Sequence, residues 1–357
     1  MRRRESFLSV SYMFLGVIMG AGFTSGRESW QFFAVFGKHA YTGALLATCG
    51  FVFVSFMMTY VARSKKTSDI AKIVIPFENE KAEKALSIII GILYYTMLIA
   101  MSAAGGSLLH YQFHINKAFG GVAIAFLAVA TVLGDFDRVQ ETFKYLVPTL
   151  FIINIVTMTA VLCSHIGQSG AVTGYKPGSM TGDWKLAAMV FVCYNSIGML
   201  SIAGDTALSV KSDKNAFGGA AFGTLLLGGI TIMLIAVLQK DMAFSSSLDL
   251  PMLGYSMRLS KFLNFIFAIV LYAAIFSTAT STYYGFSTRI SDENIKKGAI
   301  LILGAIAAAL LGLTGFKTIV EYLYPIHGYI GMAVITLLFV NFIIEVKKNR
   351  RRGRDKI

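Results

Sequence analysis

One stretch of this chain decides how it folds: Gly20-Ala21-Gly22-Phe23-Thr24-Ser25-Gly26-Arg27-Glu28. It lies in the middle of the first apolar segment, residues 7–36. An unbroken helix of about 30 residues would be about 45 Å long, well beyond the ~30 Å hydrocarbon core of a bilayer. Because each glycine in a helix interior costs about 1 kcal/mol relative to alanine, the glycines of this stretch predict a transmembrane helix that is interrupted near its middle.

Non-helical backbone within a membrane span is found in few structural settings. It persists only where it is buried in protein or lines a polar cavity, so the stretch predicts a binding site inside a helical bundle. The alternative is a helix-packing surface, because Gly16/Gly20 and Gly22/Gly26 both have the GxxxG spacing of closely packed transmembrane helices. The charged pair Arg27-Glu28 within the span argues against packing alone.

The composition places the chain in a membrane. Of its 357 residues, 55% are hydrophobic and only 14% are charged, whereas soluble proteins carry about 25% charged residues. The apolar segments are too long for outer-membrane strands and do not alternate with a period of two, so they are predicted to be helices. The cysteines at 49, 163 and 193 are too widely spaced for a disulfide framework or a metal cluster. We therefore predict an all-α integral membrane protein.

Ten apolar segments are predicted to be transmembrane helices. Their approximate ranges are 7–36, 40–62, 85–110, 118–134, 141–164, 185–210, 216–239, 260–290, 297–313 and 317–346. Most of the 32 lysines and arginines fall in the connections that share a side with both termini, so the positive-inside rule predicts cytoplasmic N- and C-termini. This distribution also explains the net charge of +13 without a nucleic-acid partner. The basic cytoplasmic tail, 347–357, is expected to contact anionic lipids.

The sixth segment repeats the irregularity of the first. It contains Tyr194-Asn195-Ser196-Ile197-Gly198 near its middle, followed by the lone acid Asp205. Interrupted segments at matching places in two halves are typical of transporters built from inverted repeats. We therefore predict a single transmembrane domain, 1–346, made of two five-helix repeats at about 7–164 and 185–346. The first and sixth helices of this domain are predicted to be broken.

These features resemble the amino acid–polyamine–organocation superfamily, whose members have the LeuT-type fold. The first helix is more closely similar to that of the YkvI-type bacterial membrane proteins, which carries a similar Gly-Ala-Gly-Phe-x-Ser-Gly-x-Glu, as at residues 20–28 here. The resemblance implies a substrate site between the first, third, sixth and eighth helices. It also implies transport driven by Na⁺ or H⁺, in the cytoplasmic membrane of a bacterium.

The candidate substrate site lies at the two interruptions. An unwound helix leaves unpaired N–H groups that suit a carboxylate and unpaired carbonyls that suit a cation. The pair Tyr94-Tyr95 of the third helix resembles an aromatic pair that contacts substrate in relatives, although a tyrosine within a span more often packs or lies at the interface. The predicted substrate-binding residues are Ala21, Gly22, Phe23, Thr24, Ser25, Gly26, Tyr95, Tyr194, Asn195, Ser196 and Gly198.

A second candidate site is one for Na⁺ as the coupling ion. The eighth segment contains Ala274-Ile-Phe-Ser277-Thr278, in which two adjacent hydroxyl groups follow a carbonyl one turn earlier. By resemblance to the sodium site of LeuT-type relatives, its ligands would be the Ala274 carbonyl, the Ser277 and Thr278 hydroxyls and the carbonyls of Ile18 and Met19. The sequence leaves open the alternative that these hydroxyls bond to their own helix. No other cofactor is predicted.

The remaining candidates are ionisable residues inside the spans, which are costly unless they are paired or face water. Arg27 follows the first break and Glu321 lies one turn into the tenth helix, so we predict that they meet across the outer entrance. Relatives with this fold close their outer entrance with such an Arg–acid pair. If protons rather than Na⁺ drive transport, the candidate proton carriers are Glu28, Asp205 and His327.

The sequence predicts a transporter and not an enzyme. It has no HExxH motif and no phosphate loop, and its Gly20-x-Gly22-xxx-Gly26 spacing differs from a dinucleotide fingerprint. We predict a secondary active transporter of a small polar organic solute, an amino acid or an amine-like molecule, coupled to a cation and working by alternating access. The alternative is a ligand sensor that keeps this fold without transporting. A channel is disfavoured, because polarity concentrates at two interruptions.

Overall fold

The computed structural model describes residues 6–134, 136–166, 175–290 and 294–354, and it is almost wholly helical. Side chains are described throughout these ranges except at 136–144, 294–295 and 352–354. The helices are α1 (Phe7–Ile18), α2 (Ala21–Thr24), α3 (Arg27–Phe32), α4 (Ala40–Lys65), α5 (Ile70–Val74), α6 (Glu80–Phe113), α7 (Lys117–Leu133), α8 (Phe136–Cys163), α9 (Trp184–Ser209), α10 (Asp213–Lys240), α11 (Met242–Ser247), α12 (Pro251–Leu259), α13 (Lys261–Ser287), α14 (Asn294–Gly312) and α15 (Phe316–Arg354). Short 3-10 turns lie at Ala34–His39 and Ser179–Thr181.

Seven helices of the described residues are long and apolar enough to cross a membrane, by length and composition. They correspond to α4, α6, α8, α9, α10, α13 and α15. Two shorter apolar helices are α1 and α7. Every segment that was predicted to cross the membrane contains helix in the structure, while the number that crosses it stays a prediction. The basic tail continues α15 as far as Arg354, and residues 355–357 lie outside the described part.

The first apolar segment is divided into three helices. α1 ends at Ile18, Gly20 is extended with φ −73° and ψ −173°, and Gly26 has φ +81° between α2 and α3. Glycine adopts this left-handed conformation without the steric cost that a Cβ would add. The Ser25 hydroxyl donates to the Gly22 carbonyl at 2.7 Å, and the Ser25 carbonyl accepts the Met252 N–H at 2.9 Å. The freed backbone is therefore satisfied within the protein, as membrane depth requires.

The predicted break in the sixth segment is wrong, because α9 runs without interruption from Trp184 to Ser209. Its polar side chains bond to the carbonyls of their own helix. Asn195 donates to Phe191 at 3.0 Å and Ser196 donates to Val192 at 2.6 Å. Short polar side chains can satisfy themselves in this way inside a helix, so their presence at mid-span did not require unwound backbone.

Small residues let α1 and α9 pack closely against their neighbours. A Cβ added at Gly223 of α10 would lie 2.3 Å from the Ser11 carbonyl oxygen of α1. A Cβ added at Gly331 of α15 would lie 2.4 Å from the Cys193 carbonyl oxygen of α9. Glycines at such crossings bring helix backbones together where lipid offers no hydrophobic drive for association. The broken first segment is thereby held at the centre of the bundle.

Different short helices lie at the two ends of the bundle. One end contains α5, which follows α4, and we call it the α5 end. There Arg63 of α4 donates to the carbonyl of Ala207 in α9 at 2.6 Å and to that of Val210, just after α9, at 2.9 Å. At the other end, the α12 end, α11 and α12 lie between α10 and α13 and contact the first segment through Met252. The break between α1 and α2 therefore lies between these two ends.

Candidate functional site

A cavity of about 580 Å³ lies beside the end of α1. It extends from Gly20 and Thr278, in the middle of the bundle, to Ile70 and Arg289 at the α5 end. Small-molecule sites usually have volumes of about 300–1,000 Å³. This cavity is therefore large enough for a small organic solute and is reached from the α5 end.

Three of the predicted substrate residues line this cavity: Tyr194, Asn195 and Gly198. Ser196 is fully buried and is not among the lining residues. A Cβ added at Gly198 would meet only Val17, at 3.8 Å. The face of α9 that carries Gly198 therefore has free space beside α1.

Tyr95, a predicted substrate residue, is not among the residues that line the cavity. Its hydroxyl donates to the Gly304 carbonyl of α14 at 3.1 Å, and its ring lies against Phe286. The neighbouring Tyr94 lines the cavity instead. Adjacent residues of a helix point in directions about 100° apart, and here the direction of Tyr95 leads to α14 and not to the cavity.

The predicted anion cradle, Ala21–Gly26, does not line the cavity in this structure. The residues of α2 and Ser25 are buried, and the space beside Gly22 is taken by the protein's own carboxylate. A Cβ added at Gly22 would lie 1.7 Å from Glu28 Oε1. The cradle is therefore filled from within the chain in this state.

Glu28 is held by aromatic residues of α9 and α15. The Tyr194 hydroxyl donates to Glu28 Oε1 at 2.9 Å, and the Tyr194 and Tyr324 ring centroids are 4.8 Å apart. His327 stacks on Tyr324 at 6.3 Å, and its Nε2 lies 2.7 Å from the Thr96 hydroxyl. Since Tyr194 and His327 also line the cavity, a polar network connects the cavity wall with the buried Glu28.

Residues of the predicted sodium site meet where α1 ends. Ser277 and Thr278 line the cavity, and Thr278 Oγ1 lies 3.3 Å from the position of a Cβ on Gly20. Ala274, Ile18 and Met19 are buried. The Ile18 carbonyl accepts a hydrogen bond from the Gly20 N–H at 2.7 Å. The hydroxyls of α13 thus face the break, although the described residues contain no cluster of three His, Cys, Asp or Glu side chains that would hold a metal.

The predicted ion pair between Arg27 and Glu321 is not formed in this structure. The Arg27 guanidinium donates to the Ser246 and Leu248 carbonyls at 3.4 and 3.3 Å. The end of α11 and the residue after it therefore occupy the place that the prediction gave to Glu321. Glu321 lies beside Gly178, where a Cβ would be 3.3 Å from its Cγ.

Asp249, which the sequence reasoning missed, holds this connection in place. Its carboxylate accepts from Lys117 Nζ at 2.7 Å and from the Ser107 hydroxyl at 2.8 Å. Burial acts to raise the pKa of Asp249, but these hydrogen bonds outweigh it and hold the pKa below its ordinary value. The sequence signal was modest: a lone acid two residues before Pro251 in a short connection. Asp249 joins α6, α7 and the α12 end.

The last candidate, Asp205, is exposed and is not among the cavity-lining residues. By contrast, Arg289 was not predicted and lies at the α5 end of the cavity. Its guanidinium lies 5.1 Å from the centroid of the Tyr94 ring, and it donates to the Gly285 carbonyl. The entrance thus carries a cation, whereas the wall near Gly20 carries hydroxyl, amide and imidazole groups.

No family model matches the chain. It is 21% identical over 357 residues to the membrane protein YkvI of Bacillus subtilis (strain 168), covering 98% of this chain and 99% of YkvI. It is also 21% identical over 334 residues to the protein YyaD of the same organism, covering 93% and 96%.

Among solved structures, the inward-facing conformation of Mhp1 matches with a TM-score of 0.67 and 12% identity, over 96% of this chain and 77% of that one. At 12% identity, the match shows a shared fold only. The chain is thus similar to the YkvI and YyaD proteins of Bacillus subtilis and shares its fold with Mhp1, a transporter of the LeuT fold.

Proposed function

We propose that this membrane protein is a secondary active transporter of a small polar organic solute, an amino acid or an amine-like molecule. The observation that carries the proposal is a solute-sized cavity that is reached from the α5 end and lies beside the interrupted first segment. At the α12 end, Arg27 donates to the Ser246 and Leu248 carbonyls and Asp249 accepts from Lys117. These contacts close that end of the bundle. Access from one side to a central site is the arrangement that alternating access requires in each of its end states.

The proposal includes an orientation. With both termini in the cytoplasm, the α5 end faces the cytoplasm and the structure corresponds to an inward-open state. Basic residues at this end, among them Arg63, Lys65 and Lys66, support that orientation. The likeness to an inward-facing conformation of Mhp1 supports the same state. The further parts of the proposal are ten membrane-spanning helices, two inverted repeats and a place in the cytoplasmic membrane of a bacterium.

The proposal also includes coupling to a cation. The hydroxyls of Ser277 and Thr278 face the break near Gly20, and hydroxyl and carbonyl oxygens suit a hard cation such as Na⁺. Glu28 offers a second, proton-linked route, since it lies behind the cavity wall. With either cation, the cation's electrochemical gradient would drive the solute against the concentration gradient of the solute.

Uptake into proteoliposomes tests the proposed function. We expect the wild-type protein to accumulate a solute from a set of labelled amino acids and primary amines when a Na⁺ or pH gradient is imposed. Gly198→Leu places a side chain in the free space beside α1 and should reduce uptake to the level of empty liposomes. Gly229→Leu is the matched control, because a Cβ at this exposed position of α10 meets nothing within 4 Å.

Two outcomes would contradict the proposal. Binding of a solute by the wild-type protein, without uptake under any gradient, would show a sensor and not a transporter. Undiminished uptake by Gly198→Leu, with the variant correctly inserted, would show that the cavity is not the transport path.

A further inference from the structure

One carboxylate at the centre of the protein has no cationic partner in the described part of the chain. The Glu28 side chain is buried, with 3% of the residue exposed. Its Oε1 accepts one hydrogen bond, from the Tyr194 hydroxyl, and its Oε2 is buried without a hydrogen-bond partner. An ionised carboxylate in such a place is costly unless a cation or a proton neutralises it.

The groups that face Glu28 are aromatic hydroxyls and not cations. They are Tyr194 from α9 and Tyr324 from α15. On its own helix, Arg27 turns its guanidinium to the carbonyls of Ser246 and Leu248. The other titratable residues of the elements packed against α3 are Lys38 and His39 in the turn that follows it, Lys185, Cys193 and Asp205 in α9, Asp213, Lys214 and Lys240 at the ends of α10, and Lys317, Glu321, Tyr322, His327, Tyr329, Glu345, Lys347, Lys348, Arg350 and Arg351 along α15.

The Glu28 carboxylate packs closely against its neighbours, and its one hydrogen bond from the described residues comes from Tyr194. Gly22 closes one side, since a Cβ there would lie 1.7 Å from Glu28 Oε1. Tyr194 stands on the other side, between Glu28 and the cavity. A sodium ion or an ammonium group needs several oxygen ligands around it, whereas a proton needs only the oxygen that it binds.

We propose that Glu28 carries the proton whose movement drives the solute, and that Tyr194 is a positioning residue that links Glu28 to the cavity. Glu28 takes a proton from water when the α12 end is open and becomes neutral. In the structure described here Glu28 still carries the proton, and its Oε1 accepts the Tyr194 hydrogen bond. When water from the cavity reaches Glu28 at the α5 end, the proton passes to that water. The role in coupling rests on the proposed transport function, while the protonation of Glu28 does not.

Infrared spectroscopy of the purified protein in lipid nanodiscs tests the protonation. The probe is the pH of the buffer, varied between about 5 and 9, the range that includes documented buried glutamates. We expect the C=O stretch of a buried, protonated carboxylic acid in the wild type and its loss in Glu28→Gln. Gln keeps the shape of Glu and an acceptor for Tyr194, so this variant should fold.

The matched control is Glu345→Gln. Glu345 is also buried, but it accepts from the Ser64 hydroxyl at 2.6 Å and lies 3.8 Å from Lys348 Nζ. This variant should keep the band. Tyr194→Phe should shift the frequency of the band, because it removes the hydrogen bond and keeps the ring. Persistence of the band in Glu28→Gln, or its disappearance from the wild type when Na⁺ replaces K⁺ at constant pH, would overturn the proposal.

A transport measurement then tests the coupling. With the solute found in the uptake screen, one pH unit can sustain up to about tenfold accumulation for one proton per neutral solute. We expect Glu28→Gln to lose this accumulation and to keep exchange of labelled for unlabelled solute. Accumulation by Glu28→Gln equal to that of the wild type would overturn the coupling role. Absence of any transport by the wild type would contradict the proposed function and leave the infrared result to decide the protonation.

Discussion

Replacing Asp249 by asparagine should open the α12 end of the bundle. The Asp249 carboxylate accepts from Lys117 Nζ at 2.7 Å, from the Ser107 hydroxyl at 2.8 Å and from the Lys317 N–H at 3.3 Å. These bonds tie the α11–α12 connection to α6, α7 and α15. This connection and the end of α11 supply the two carbonyls that bind Arg27. Asparagine keeps the shape but loses the charge, so the contact with Lys117 weakens most.

The size of the effect follows from burial. A hydrogen bond to a charged group contributes about 1.5–3 kcal/mol. The Lys117 side chain is 44% exposed, so water replaces part of the lost interaction and the figure is reduced to about 1–2 kcal/mol. A loss of that size changes the ratio of open to closed molecules by a factor of about 5–30.

The assay is the labelling of Thr24→Cys with a water-soluble maleimide in nanodiscs, in a chain whose native cysteines are replaced by alanine. Thr24 is buried, and its hydroxyl has no hydrogen-bond partner, so cysteine is a mild change. It directly precedes Ser25, whose carbonyl accepts the Met252 N–H of α12. Asp249→Asn should raise the labelling rate by about 5- to 30-fold.

Asp241→Asn is the control, because Asp241 and its partner Arg258 are 11% and 42% exposed, nearly the same as Asp249 and Lys117. Its contacts lie within α11 and α12. Equal labelling rates for Asp249→Asn and Asp241→Asn would refute the reasoning.

Two further predictions concern the titration of Asp249 and the predicted sodium site. Because the pKa of Asp249 is held below its ordinary value, its contribution to closure is complete above about pH 5 and is lost as the pH falls below about 4. The labelling rate of Thr24→Cys, divided by that of free cysteine at the same pH to remove the titration of the thiol, should therefore be constant between about pH 5 and 8 and rise in acid. A rise of this ratio near pH 7 would contradict this role. The double variant Ser277→Ala/Thr278→Ala should lose any stabilisation by Na⁺ over K⁺ in thermal unfolding. Thr282→Ala is the control and should keep it, because the Thr282 hydroxyl donates to the Thr278 carbonyl at 2.7 Å. A Na⁺ response that survives in the double variant would contradict the sodium site.

The sequence located the interruption of the first segment, because glycine spacing and helix length are local properties. α1 ends at Ile18 and Gly26 adopts a left-handed conformation, close to where the composition weakens the helix. The same reasoning failed in α9. Whether Asn195 and Ser196 unwind a helix or bond to its carbonyls depends on their rotamers and on the space around them, which a polar pattern does not specify.

The contacts between distant segments were the least predictable. Arg27 was expected to meet a carboxylate, but it meets two carbonyls more than 200 residues away in the chain. Backbone carbonyls are present at every residue and leave no mark in the sequence. Similarly, the sequence did not indicate that Tyr94 would line the cavity while Tyr95 bonds to α14. Orientation about the helix axis is set by packing with neighbouring helices.

Alternating access is the central claim, and paired cysteine labelling tests it most directly. Ser281→Cys lies in the cavity that is reached from the α5 end, and Thr24→Cys is buried toward the α12 end. The labelling rates of both single variants are measured in nanodiscs, with and without the transported solute. The account predicts that any condition that slows labelling at 281, such as a bound solute that closes the α5 end, speeds labelling at 24. Rates that rise together would indicate an open pore, and solute binding that changes neither rate would indicate a protein that does not alternate.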